Sequence, residues 1–132
     1  MSEPVSDLGA MLAGMSPVLD AASYRFFVPG PPQEFAALHE RIFASIYEDE
    51  GVTCIVRAKP GEDGQPFARI TLMVHSALEG VGLTAAVSSA LAEAGLACNM
   101  VAGYHHDHLF VPWERREAAL AVLEQLSLDA RT

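Results

Sequence analysis

Two cysteines, one tryptophan and only 8 basic side chains in 132 residues leave this chain poor in the groups that several function classes require. Zinc sites built on cysteine need two close pairs, or one pair with closely spaced histidines, and Cys54 and Cys98 offer neither. Each lies in an apolar, strand-like run, where a thiol behaves as a small buried hydrophobe, and neither has a neighbouring histidine to activate it. No glycine-flanked serine of the hydrolase-elbow type occurs, and Gly80-Val81-Gly82 lacks the following lysine and long glycine spacing of a phosphate loop. No stretch reaches the ~18 uninterrupted apolar residues of a membrane span. Met1-Ser2-Glu3-Pro4 lacks the basic start of a secretory signal. The expectation is a cytoplasmic protein with no catalytic residues, no cofactor and no membrane partner.

Basic charge is the other scarcity. With 17 acidic residues the net charge is -9, and the mean surface field repels phosphate backbones, which argues against nucleic acid as a partner. What the chain does have is apolar material: 51% hydrophobic against 19% charged residues lies well away from the disordered corner, and a chain of this length buries a core without disulfide or metal.

Along the first half, apolar residues at helical spacing from Asp7 to Met15 predict a short helix ended by Gly14 and Pro17. Ser23 to Val28 reads as an aromatic-rich strand stopped by Pro29-Gly30-Pro31-Pro32, and Gln33 to Glu40 as a short helix. Arg41 to Tyr47 and Val52 to Arg57 form a hairpin whose turn, Glu48-Asp49-Glu50-Gly51, is a solvated acidic tip rather than a metal site. Lys59 to Pro66 is the most linker-like stretch and divides the chain near its midpoint.

The second half reads βαββα. Phe67 to His75 alternates as a half-buried strand, and Ser76-Ala77-Leu78-Glu79 matches a capping box, so the strand is expected to flow directly into a helix that ends at Gly95. Leu96 to Tyr104 and His106 to Val111 follow as strands, and Pro112 opens a last helix. From Ser23 the first half reads βαββ, so the halves look like one unit repeated with a helix moved.

The run ITLMVHSALEGVGLTAAVSSALAEAGLACNMVAGYHHDHLFVP, from Ile70 to Pro112, resembles the ACT-domain superfamily. It is most similar to small stand-alone double-ACT proteins in which a Val-His-Ser turn, a VGLTAAV helix and an AGY-x-HDH-x-FVP hairpin recur. The first half resembles the family's N-terminal module more loosely, through Met15-Ser16-Pro17, Tyr24 to Val28 and Glu50-Gly51-Val52-Thr53. The resemblance implies an α+β fold of two ferredoxin-like, βαββαβ-type modules, with antiparallel sheets covered by helices on one face. Their expected bounds are 1–64, degenerate or rearranged, and 65–132. Little chain follows the last helix for a final strand, so a strand lent by the other half is one way to complete the sheet. The implied role is non-catalytic sensing or regulation by a small molecule, typically an amino acid, in a homodimer.

The candidate ligand site is the first-strand-to-helix turn of the second module, Ser76, Ala77, Leu78, Glu79, Gly80, Val81, Gly82 and Leu83, with Asn99 and Met100 on the following strand. Unpaired amides and the dipole at a helix start suit a carboxylate, the two glycines permit close approach, and Asn99 offers an amide. Against this, Ser76 and Glu79 can cap those amides themselves, and glycines beside a helix often serve packing alone. Tyr104-His105-His106-Asp107-His108 is the other cluster. Strand alternation splits it between two faces, so a metal would need His75 beside His106 and His108. A metal-binding protein on those histidines and a purely structural interaction module are the two alternatives to sensing.

Overall fold

The period-two alternation of the sequence becomes one antiparallel sheet in a computed structural model that describes residues 3–132. Met1 and Ser2, the first positions of the module expected over 1–64, lie outside the described residues. The strands are β1 (Pro17–Phe27), β2 (Ile42–Glu48), β3 (Gly51–Arg57), β4 (Phe67–Leu72), β5 (Asn99–Ala102) and β6 (Asp107–Pro112). The helices are α1 (Leu8–Ala13), α2 (Pro32–Ala37), α3 (Leu83–Glu93) and α4 (Arg116–Ala130).

The strand order β2-β3-β1-β4-β6-β5 is palindromic about its centre. Each half runs β-α-β-β, places its first strand in the middle of the sheet, its last strand next to that and its second strand at the rim. The antiparallel sheets expected of two modules therefore join edge to edge. The strand beside β4, where a module's own final strand would lie, is β1 from the first half, paired Val18↔Thr71 and Leu19↔Ile70 and, after a bulge, Ser23↔Ala68.

That pairing also corrects the start of β1, expected at Ser23 and found at Pro17. Asp20-Ala21-Ala22 has weak strand propensity, and the ladder to β4 overrides it. Lys59–Pro66 is not a loose linker either. Glu62 accepts from the Lys59 amide at 2.6 Å and pairs with Arg25 at 3.2 Å and with Arg41, while Pro66 accepts from the Trp113 amide at 3.1 Å.

One face of the sheet carries the helices. Ala68, Ile70 and Leu72 of β4 and Leu109 and Val111 of β6 pack under Met11 of α1, Leu83, Val87 and Leu91 of α3, and Ala119 and Leu123 of α4. Leu38, just after α2, covers Cys54 and Val56. The opposite face is closed by curling. Phe43 on the rim strand β2 brings its ring to 4.9 Å from His108 on β6, although β3, β1 and β4 separate those strands. Tyr24, Ile55 and Phe110 fill the concavity, with Phe43, Phe67 and Val101 around them. No helix among the described residues is long and apolar enough to cross a membrane.

Phe110 is fully buried and meets Tyr24, Phe26 and Phe43 edge-on at centroid separations of 5.8, 5.3 and 5.7 Å. Replacing it with alanine removes the centre of that cluster. The expected loss is about 3–5 kcal/mol of unfolding free energy, read from the urea midpoint at constant m.

Candidate functional site

The turn after β4 departs from the sequence expectation in a way that shapes the site. The helix starts at Leu83, not Ser76, and the Ser76–Glu79 capping box does not form. The N-terminal segment takes the backbone that a helix would have used: Val5 donates to the His75 carbonyl at 2.7 Å and receives the Ala77 amide on its own carbonyl at 2.8 Å. Residues 75–77 are thereby held extended. Ser76 turns its hydroxyl to the Asp107 carboxylate at 3.1 Å, and Glu79 is exposed. Gly82, at φ 104, forms the entry to α3, and no side chain caps the helix. A residue with a Cβ is disfavoured at that angle.

Beside the uncapped end lies a cavity of about 90 Å³ lined by Met11, Ser76, Ala77, Leu78, Gly80, Leu83, Thr84, Ala102 and Asp107. Its polar equipment is one carboxylate, two hydroxyls and the start of α3. The structure brings Ser76, Ala77, Leu78, Gly80 and Leu83 of the expected set to this cavity. Val81 is 82% exposed beside it, and Gly82 and Gly80 are occupied by packing: a Cβ on Gly82 would stand 3.0 Å from Leu8 of α1, and one on Gly80 3.3 Å from the Met11 sulfur. Both glycines allow α1 to approach closely, and Gly80 also lines the cavity.

The strand residues divide differently. Met100 packs into the helix-side core and Val101 into the aromatic cluster, so exposed Asn99 stands on the face away from the cavity, with Phe110 as its register partner. Thr84, Ala102 and Asp107 line the cavity without having been singled out as ligand residues. Asp107 was visible in the sequence as part of the histidine cluster, but its reach to Ser76 depends on β4 pairing with β6, a long-range fact.

The histidines do not converge. His75 lies against His105, ring centroids 5.8 Å apart, while His108 sits on the concave face with its Nδ1 at 2.9 Å from the Thr71 hydroxyl. Among the described residues no group of three His, Cys, Asp or Glu side chains is placed to hold a metal ion. The concave face instead holds a polar pair inside aromatic walls. Arg69 bonds Asp20 at 2.9 Å and lies 4.4 Å over the Phe43 ring and 5.3 Å from that of Tyr24, whose hydroxyl donates to Asp20. Burial opposes ionisation of Asp20, but the hydrogen bonds from Tyr24 and Arg69 prevail and hold its carboxyl below the ordinary value. Burial, and the Arg69 charge, push the His108 imidazole down.

ACT-domain family models match residues 68–125 and residues 3–65. A Vibrio cholerae protein of unknown function, described as a possible transport protein, shares 39% identity over 91% of this chain and 95% of its own, with a TM-score of 0.78. The ligand-free regulatory subunit of aspartate kinase from Thermus thermophilus superposes with a TM-score of 0.60 at 15% identity, over 86% of this chain and 97% of its own. An Agrobacterium tumefaciens protein gives 0.60 at 17% identity, over 80% and 81%. At such identities the last two show the fold. No curated protein sequence matches.

The depressed imidazole of His108 sets a pH dependence. Around pH 6.5 and below, the unfolded chain takes up a proton at this histidine that the folded chain resists, so the folded state loses stability as pH falls from about 6.5. Urea midpoints at pH 7.5 and pH 5.5 should show the loss. The His108→Gln variant, which keeps a partner for Thr71, should lose less over that interval.

Proposed function

Because the chain belongs to the ACT-domain family, we propose that it is a non-catalytic regulatory protein that senses a small amino acid in the cavity between the start of α3 and Asp107. The observation that carries this reading is the uncapped first turn of α3 opening beside a carboxylate. Free amides and the positive end of the helix dipole suit an α-carboxylate, and Asp107 suits an ammonium group. The two ends of a zwitterion are thus matched within one small space.

Size narrows the class. At about 90 Å³ the cavity is small, which favours compact amino acids such as glycine, alanine or serine. Ser76 and Thr84 add hydroxyls at the wall. We take residues 1–64 and 65–132 as the two modules, the second carrying this site, and a homodimer in the cytoplasm as the working form. The rim strands β2 and β5, each paired on one side only, support association through a sheet edge.

Calorimetric titration against the twenty amino acids tests the reading. The smallest should bind at millimolar concentration or tighter. Asp107→Asn should weaken them by about tenfold, the loss of one charge-assisted contact. Ala102→Phe, at an exposed lining position, should abolish binding with the unfolding midpoint unchanged. If no amino acid binds and both variants match the parent, the α3 end is scaffolding.

A further inference from the structure

The palindromic sheet places a second cavity where the first half repeats the geometry of the α3 site. In the second half the cavity is bounded by the turn after the first strand, the helix that follows, the end of β5 and the start of β6. In the first half the turn after β1, α2, the end of β2 and the start of β3 border a larger, open hollow of about 480 Å³. We infer that this hollow is a second ligand site, distinct from the one proposed above, and that it takes an apolar organic cation rather than a carboxylate.

The residues at the helix start offer an anion few donors. Pro31 and Pro32 stand at the entry to α2, and neither has an N–H to offer. The Gly30 amide is already directed to the Glu34 carboxylate at 3.3 Å. The Glu34 and Phe35 amides are directed to the Pro31 carbonyl at 2.9 and 3.3 Å, which leaves this helix start the Gln33 amide where α3 leaves a full first turn.

What remains is apolar wall with one sign of charge. Val28, Pro29, Phe35, Tyr47, Val52 and Glu50 line the hollow, and no basic residue is among its lining residues. Tyr47 is 78% exposed and Val28 57%, so apolar surface stands uncovered there. Aromatic ring faces attract cations, and a carboxylate beside them adds a counter-charge. A hollow of this size lies within the usual range for small-molecule sites, roughly 300–1,000 Å³. A primary amine on a hydrocarbon or aromatic body meets every group present.

Phenethylamine is the probe, with 2-phenylethanol and phenylacetate as its neutral and anionic counterparts. Amide resonances of Val28, Tyr47 and Val52 followed by NMR should shift with the amine at millimolar concentration, less with the alcohol and least with the acid. Glu50→Gln and Tyr47→Ala, both at exposed positions, should each weaken the amine about fivefold. Asp107→Asn should leave it unchanged, which separates this site from the α3 cavity. Equal shifts from all three compounds, or none from the amine, would overturn the inference. So would shifts at the same amides on raising protein concentration alone, since a second copy would then be the occupant.

Discussion

The antiparallel pairing of β1 with β4 is the constraint on which the rest of the molecule depends. Backbone N–H and C=O groups in a sheet interior must find partners, and neither half has a strand of its own to cover the inner edge of its first strand. Each first strand answers for the other. This joins two three-stranded units, each marginal alone, into six strands, with one helix-side cluster over β4 and β6 that reaches Leu19 of β1 and a second around Cys54 and Val56 of β3. The bulge between Leu19 and Ser23 follows from the same demand, because β1 pairs with β4 from Pro17 to Tyr24 and with β3 from Tyr24 to Phe27. Bending there lets the sheet curl until Phe43 reaches His108.

Curling encloses charge as well as rings. Arg69 faces the concave side because its neighbours Ala68 and Ile70 face the helices, and its guanidinium must then be satisfied within the hollow. Asp20 supplies the counter-ion, and Phe43 and Tyr24 supply π faces. Its Nε is buried without a hydrogen-bond partner among the described residues, so the group leans on the ion pair and the rings. A charged pair held this way contributes less to net stability than to register, since a slip of one residue in β1 or β4 would part Asp20 from Arg69.

Periodicity made most of the fold legible. The alternation of Phe67 to Leu72, the aromatic run ending at Phe27, the acidic hairpin tip and the glycine after α3 all read correctly from the chain, because each depends on neighbours within a few residues. The repeat of β-α-β-β was legible too, and the palindromic strand order is its three-dimensional form. The failures share one cause. Ser76-x-x-Glu79 satisfies the local rule for a helix start, yet Val5, some seventy residues earlier, claims the carbonyl of His75 and the amide of Ala77, and Asp107 claims the Ser76 hydroxyl. Lys59–Pro66 has linker composition, yet Arg25 and Arg41 gather on Glu62. Local signals fixed what the chain would do alone, and distant partners overrode them.

The same override makes the α3 end usable. A formed capping box would have consumed first-turn amides with the chain's own serine and glutamate. Holding residues 75–77 against Val5 moves the helix start to Gly82 and strands Ser76 on the cavity wall, so the donors face open space next to Asp107. In the first half the corresponding turn is six residues shorter, 28–31 against 73–82, and built on proline: Pro31 and Pro32, at the entry to α2, have no N–H to offer. Two copies of one architecture thus differ at the positions that set the sign of charge each can accept. Proline removes two backbone N–H groups from the start of α2 and none from that of α3, while a carboxylate stands by in both, Asp107 in the second half and Glu50 in the first. A zwitterion needs both kinds of group and a cation needs only the acid, which is why the two proposed sites are assigned ligands of different charge.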